Sequence, residues 1–124
     1  MNESIYQYIF DKIQELLPPN WEKMIFFAGY AEGSYSMKFY TDCGEGKIID
    51  CFNISNLDRM KLIKAFSSID VILSAERKKI AGDKRWTVLT MIVDAKGNMK
   101  TEFDYTDISE DFIGYERKWE RKYL

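Results

Sequence analysis

One run of five residues is apolar at every position: Met24-Ile25-Phe26-Phe27-Ala28. A strand through these residues would present two apolar faces, which is typical of a strand inside a sheet rather than at its edge. Pro18-Pro19 lies upstream, and Glu32-Gly33-Ser34 has the composition of a turn. We therefore predict an internal strand over residues 21–32.

The segments on either side complete a sheet. Residues 34–41 alternate between two faces, Tyr35, Met37 and Phe39 on one and Ser36, Lys38 and Tyr40 on the other, which predicts a half-buried strand. A turn at 43–46 and a short strand at 47–52 extend it into an antiparallel meander. Further strands are predicted at 86–94 and 99–105, joined by a turn at 95–98.

Three helices are predicted around these strands. The first covers residues 3–17, because Ile5, Ile9 and Ile13 recur at helical spacing and Pro18-Pro19 stops it. The second follows Asn53–Asn56 and continues to Ile80. Its apolar positions are Leu62, Phe66, Ile69, Leu73 and Ile80. Ser67-Ser68 is a point where it could break or kink, and Gly82 is the expected left-handed terminator.

The third helix is predicted from Ile108 to Tyr123. Asp107 is its expected N-cap, with Glu110 three residues on as in a capping box. The element order is therefore α-β-β-β-α-β-β-α. This order predicts an α+β fold in which helices flank an antiparallel sheet of about five strands, as one domain over residues 1–124.

Composition restricts the function classes. The 124 residues are 46% hydrophobic, 31% charged and 15% aromatic, as in a globular chain, and the net charge is −2. That balance argues against a dedicated nucleic-acid binder. The chain has no histidine, which removes Ser-His-Asp and Cys-His nucleophile pairs and every imidazole metal site.

Compartment and cysteine state follow from similar arguments. The first residues lack a basic and an apolar signal region, and no apolar run approaches the length of about 20 residues needed to span a bilayer. We expect a cytoplasmic protein that does not bind membranes. Cys43 and Cys51 form neither a redox pair nor a zinc site, so we expect both to be reduced thiols.

Two segments resemble catalytic or metal sites and do not fit them. Gly44-Glu45-Gly46-Lys47 lacks the glycine at Thr41 and the hydroxyl at Ile48 that a phosphate loop needs. Carboxylates crowd residues 102–111, but their spacing is not that of a calcium loop. The residues therefore predict no cofactor, no metal and no enzyme activity, and a histidine-free enzyme is the least favoured class.

Two kinds of binding protein remain possible from the residues alone: one that binds nucleic acid or a small ligand, and one that binds another protein. Residues 59–85 contain eight basic and three acidic residues, which is typical of a solvated helix face. Together with aromatic residues on the sheet they leave open a small nucleic-acid- or ligand-binding module. The other kind is a protein that binds another protein.

A set of short motifs runs through nearly the whole chain in a fixed order and resembles the YezG/EsaG-like family of bacterial immunity proteins. They are Leu17-Pro18-Pro19, Trp21-Glu22-Lys23, Ala31-Glu32-Gly33-Ser34, Phe39-Tyr40, Trp86-Thr87, Leu89-Thr90, Gly97-Asn98-Met99-Lys100, Phe103-Asp104-Tyr105, Tyr115-Glu116-Arg117 and Lys122-Tyr123-Leu124. The resemblance implies a cytoplasmic antitoxin without catalysis or cofactor. It implies a cognate toxin as partner, of the LXG type exported by type VII secretion or with a nuclease domain.

Electrostatics then suggests a contact surface. A nuclease cleft is basic because it holds phosphates, so carboxylates and tyrosines of an inhibitor can block it. An acidic strip runs from Glu102 to Glu116. The predicted partner-binding residues within it are Asp104, Tyr105, Asp107, Glu110, Asp111, Tyr115 and Glu116. The toxin's identity and the oligomeric state are left open.

Overall fold

A computed structural model describes residues 1–44 and 46–124 and confirms the predicted element order. The elements are α1 (Glu3–Gln14), β1 (Lys23–Ala31), β2 (Ser34–Asp42), β3 (Ile48–Asp50), α2 (Arg59–Lys78), β4 (Val88–Asp94), β5 (Met99–Asp104) and α3 (Phe112–Tyr123). The predicted turn at 43–46 includes Glu45, which lies outside the described residues.

The chain divides into two compact units. Residues 20–51 and 86–124 form one, which holds the sheet and α3, and residues 1–19 and 52–85 form the other, which holds α1 and α2. The single domain over residues 1–124 stays a prediction.

The sheet has the order β3-β2-β1-β4-β5, and every neighbouring pair is antiparallel. β1 pairs with β2 on one edge and with β4 on the other, so the internal strand predicted from the apolar run is confirmed. Residues 24–28 are all buried, which explains why neither face of this strand carries a polar side chain.

One face of the sheet is covered by α3. Ile25 and Phe27 of β1 pack in a core cluster with Ile108 and Trp119. The rings of Phe27 and Trp119 meet edge to face, with centroids 5.0 Å apart. Gly29 continues this face, and a Cβ there would lie 2.8 Å from the Phe27 ring. Glycine therefore lets the core close tightly at this point.

In the second unit, α1 buries Ile5, Ile9 and Ile13, as the helical spacing predicts. α2 runs without interruption through Ser67-Ser68 and buries the predicted Leu62, Phe66, Ile69 and Leu73. Its N-cap is Asp58, whose carboxylate accepts a hydrogen bond from the backbone N–H of Met60 at 2.8 Å.

The predicted glycine terminator of α2 is wrong. The helix ends at Lys78, and its C-cap Lys79 keeps right-handed helical geometry. Gly82 instead begins a short 3₁₀ turn, Gly82–Lys84, and has no positive φ. The side chain of Arg85 donates a hydrogen bond to the carbonyl of Ile80 at 2.9 Å. The segment after the helix is thus held by a side chain rather than by a left-handed glycine.

Candidate functional site

A cleft of about 340 Å³ opens where α3 lies beside β5. It combines aromatic rings, two carboxylates and two lysines. Its lining residues are Thr90, Glu102, Phe103, Asp104, Thr106, Tyr115, Lys118, Trp119, Lys122 and Tyr123.

Two periodicities bring carboxylates and phenols together in this cleft. Glu102 and Asp104 point to the same face of β5, because side chains alternate along a strand. Tyr115 and Tyr123 lie eight positions apart on one side of α3. Tyr115 donates a hydrogen bond to Asp104 at 2.6 Å, and Tyr123 donates one to Glu102. The helix is thereby fastened to the strand at two points.

Asp104 is held in the site by three hydrogen bonds. Burial opposes its ionisation, but hydrogen bonds from Tyr115 and from the backbone and hydroxyl of Thr106 outweigh that effect and lower its pKa. The pKa of Tyr115 is raised, first by burial and then by the hydrogen bond to Asp104. At neutral pH the pair is therefore a carboxylate bound by a neutral phenol.

Glu102 is surrounded by donors. The hydrogen bond from Tyr123 and the interaction with Lys100 lower its pKa. Its carboxylate lies 3.0 Å from the Lys100 ammonium and 3.8 Å from that of Lys122. The negative charge of Glu102 is thus locally balanced, whereas Asp104 is held by neutral donors.

The floor of the cleft is formed by Trp119. Only 4% of this residue is exposed, and its indole N–H donates to the hydroxyl of Thr90 at 2.8 Å. Its ring also packs against Tyr40 and Tyr123, with centroids 5.6 and 5.1 Å away. A buried indole that satisfies its polar atom in this way fixes α3 on the sheet.

Glu116 lies outside this cleft. It forms an ion pair with Lys38 of β2, with the nitrogen and oxygen 3.0 Å apart. Burial works against the charge of Lys38, but the Glu116 carboxylate outweighs it and raises the lysine pKa. The structure therefore separates Glu116 from the Asp104–Tyr115 pair, although Tyr115 and Glu116 are neighbours in sequence.

The segment between β5 and α3 carries the most exposed predicted residues. Tyr105 is 62% exposed, and Glu110 is exposed as well. Within the described part of the chain, no side-chain hydrogen bond or ion pair is found for either residue. Asp107 accepts a hydrogen bond from the backbone N–H of Ser109 at 2.9 Å, which lowers its pKa.

The predicted capping box at Asp107 and Glu110 is wrong. The N-cap of α3 is Asp111, whose carboxylate accepts from the backbone N–H of Gly114 at 2.9 Å, and the first turn holds no acidic residue. The reason is Ile108, which is 1% exposed and belongs to the sheet core. The hydroxyl of Thr87 also donates to the carbonyl of Thr106, and the backbone N–H of Glu32 donates to the hydroxyl of Ser109. This segment is therefore held beside the sheet before the helix begins at Phe112.

Gly114 makes the Asp111 cap possible. A Cβ at this position would lie 2.1 Å from an Asp111 carboxylate oxygen. Any larger residue would push the capping side chain away. Asp111 is therefore exposed, and within this structure its carboxylate serves as the N-cap of α3.

The sequence-based set omitted Glu102 and Tyr123, which form the second carboxylate–phenol pair. A usable signal existed: Glu102 and Asp104 alternate on one strand face, while Tyr115, Trp119 and Tyr123 recur every four residues. Combining these two patterns would have predicted that this face of β5 packs against this side of α3.

Among the sheet aromatics in the described residues, Phe26, Phe39 and Tyr40 are buried, whereas Tyr35 is 44% exposed. The ligand-binding module based on an aromatic sheet face stays an untested alternative. Cys43 and Cys51 are free thiols, and burial raises the pKa of the Cys51 thiol to about 12.

Residues 1–44 and 46–124 contain neither a metal-binding cluster nor a membrane-spanning helix. No group of three acidic or cysteine side chains is arranged there to hold a metal ion. No helix in these same ranges is long and apolar enough to cross a bilayer.

Comparison with known proteins identifies the family. The family described as "Immunity protein YezG-like" matches residues 2–124. The chain is 26% identical to Immunity protein YezG of Bacillus subtilis (strain 168), over 98% of this chain and 87% of that protein. It is 27% identical to Immunity protein YezG of Bacillus spizizenii, over 92% of this chain and 75% of that protein. The chain therefore belongs to the YezG-like family of immunity proteins.

Proposed function

We propose that this protein is a cytoplasmic antitoxin that binds the toxic domain of a cognate secreted toxin and blocks its active-site cleft. The toxin is of the LXG type, exported by type VII secretion, and its toxic domain is a nuclease. Inhibition needs neither catalysis nor a cofactor. Membership in an immunity-protein family supports the binding role.

The proposed contact surface is the acidic segment 104–116. One observation carries this choice: Tyr105 and Ile113 are 62% and 66% exposed, and the carboxylates of Asp107, Glu110 and Asp111 lie between them in sequence. Aromatic residues are enriched in the central part of protein interfaces, and charged groups around them are typical of the polar rim. A basic nuclease cleft would complement that charge.

The seven proposed contact residues then differ in role. Tyr105 and Glu110 are the side chains most available for direct contact. Asp104 and Tyr115 offer a carboxylate whose position is already fixed by hydrogen bonds, so little ordering cost accompanies binding.

The other three combine contact with structure. Asp107 and Asp111 hold the backbone between β5 and α3 through hydrogen bonds to Ser109 and Gly114. Glu116 contributes from the flank of α3 that faces β2, where it is paired with Lys38.

This protein, used as bait, first captures its toxin from the host, and the toxin's C-terminal domain is then purified. The test is the affinity of this protein for that domain. Glu110→Lys should weaken binding by about tenfold or more and reduce its salt dependence, since charge pairs at interfaces govern association. Asp83→Lys is the matched control, because Asp83 is also exposed, lies outside the segment and gives the same change in net charge. Tyr105→Ala should cost at least about 2 kcal/mol of binding if it is a central anchor.

Equal binding by wild type, Glu110→Lys and Tyr105→Ala would remove segment 104–116 from the interface. If Asp83→Lys weakens binding as much as Glu110→Lys, overall charge rather than a specific contact is responsible. If the complex forms but the bound toxin domain still cleaves its substrate, the active-site mechanism is wrong. An activity assay on RNA and DNA substrates decides the nuclease assignment.

A further inference from the structure

The outward face of α2 carries a stripe of apolar and small residues. Met60, Ile63 and Val71 are 59%, 52% and 70% exposed. Ser67 and Ala75 continue the same stripe and are also exposed. The spacing from Met60 to Ala75 is three, four, four and four residues, which follows one side of a helix. We call these five residues the α2 stripe.

The α2 stripe is separate from the core of its own unit. The residues that α2 buries, among them Leu62, Ile69 and Leu73, lie on the opposite side of the helix. At 1.5 Å per residue the stripe is about 22 Å long. Exposed aliphatic side chains aligned over this length leave an apolar helix face without a partner among the described residues.

A basic groove runs beside the α2 stripe. It has a volume of about 300 Å³ and lies between α1 and α2. Lys12 comes from α1, while Lys61 and Lys64 come from α2, with Glu15 the single acidic residue among those that line it. The lysine side chains of both helices therefore converge next to the apolar stripe.

We propose that the α2 stripe and this groove together dock an acidic amphipathic helix of a partner protein. The apolar side of that helix lies on Met60, Ile63 and Val71. Its carboxylates meet Lys12, Lys61 and Lys64. Ser67 and Ala75 are small, which lets a helix backbone approach α2 closely. This docking mode is that of a helix laid along a groove.

Charge selects this occupant over a second copy of the chain. α2 contains five basic and two acidic side chains, so pairing two α2 stripes would bring two positively charged helices together. Like charges in such positions repel. A membrane surface fits less well, because interfacial helices use aromatic and leucine side chains that the stripe lacks.

The inference does not depend on the toxin contact proposed for segment 104–116, since α2 and α3 are separate elements. The probe is a synthetic amphipathic peptide of about 20 residues, with leucines on one side and glutamates beside them. A peptide with the same composition in scrambled order controls for charge alone. Vesicles of phosphatidylcholine and phosphatidylserine test a lipid occupant. Backbone amide shifts of the full chain locate the contact.

We expect the patterned peptide to shift amides of α2 and of residues around Lys12. Val71→Glu and Lys64→Glu should each weaken that binding by about tenfold or more, which corresponds to at least 1.4 kcal/mol. The matched control is Ile113→Glu, since Ile113 is 66% exposed, much like Val71, but lies on α3. It should leave peptide binding unchanged, whereas we expect it to weaken the toxin contact.

Three results would overturn the proposal: equal binding of the scrambled peptide, unchanged binding by both α2 variants, or binding of vesicles without binding of the peptide. Circular dichroism and thermal melting of each variant separate loss of binding from loss of fold. Loss of toxin binding in Ile113→Glu with intact peptide binding would support both proposals independently.

Discussion

The inner side of α3 and the outer face of α2 are opposite cases of how a helix uses its polar and apolar residues. In α3, Tyr115, Trp119 and Tyr123 each donate a hydrogen bond to a residue of the sheet. In α2, Met60, Ile63 and Val71 point away from the core and stay exposed. The first surface is ordered by its own hydrogen bonds, while the second is an exposed apolar face.

The largest expected effect comes from truncating Trp119, the buried side chain that anchors α3 on the sheet. Trp119→Ala should lower the free energy of unfolding by about 3–5 kcal/mol, because it removes a buried ring and leaves the Thr90 hydroxyl without its donor. Urea unfolding measures this loss. Ile113→Ala, on the exposed side of the same helix, should change stability by no more than about 0.5 kcal/mol. Similar losses in the two variants would mean that α3 is not anchored by its indole.

Asp104→Asn should have the next largest effect. The substitution removes the charge that Tyr115 and Thr106 stabilise, and we expect a loss of about 1.5 kcal/mol at neutral pH, the low end for charge-assisted hydrogen bonds at a partly exposed site. Chemical unfolding of wild type and variant at the same salt concentration gives the difference. A variant as stable as wild type would show that the pair does not fasten α3.

The stability difference between wild type and Asp104→Asn should also depend on pH. The folded-state pKa of Asp104 is lowered from its ordinary value of 3.8, so its stabilising contribution is complete above that pH and is lost as the pH falls below it. The stability gap between wild type and Asp104→Asn should therefore narrow as the pH drops below 3.8. Unfolding curves from pH 7 to pH 2.5 test this. A gap that widens in acid would contradict the assigned charge state.

Tyr115→Phe should cost about 1 kcal/mol, since it deletes one phenolic donor and leaves the ring in place. The matched control is Tyr35→Phe, because the Tyr35 ring stacks on Tyr30 but its residue is 44% exposed. We expect the control to melt like the wild type. If both variants lose the same stability, the effect comes from the ring environment and not from the bond to Asp104.

The smallest effect is expected from truncating Val71 on the exposed face of α2. Val71→Ala should change the free energy of unfolding by no more than about 0.5 kcal/mol, because the side chain is 70% exposed and alanine favours helix. Thermal melting tests this. A loss above about 2 kcal/mol would show that Val71 belongs to a core and would remove the basis of the docking surface.

Local pattern determined the elements of this protein. Five apolar residues in a row next to Gly33 and Pro18-Pro19 predicted the internal strand β1, and isoleucines at helical spacing predicted α1, because both patterns act within a few residues. The order of the elements and the α+β fold therefore followed from the sequence. So did the buried positions of α2, since its period of 3.6 residues separates inside from outside.

The tertiary structure alone decided the partners of the acidic residues. Five carboxylates at 102–111 look equivalent in the sequence. In the fold Asp104 meets a tyrosine 11 residues away, Glu102 meets one 21 residues away, and Asp107 forms a local turn. The burial of Ile108 moved the helix cap to Asp111. Such choices depend on contacts distant in sequence, which no local pattern encodes, because they arise only when helix and sheet pack together.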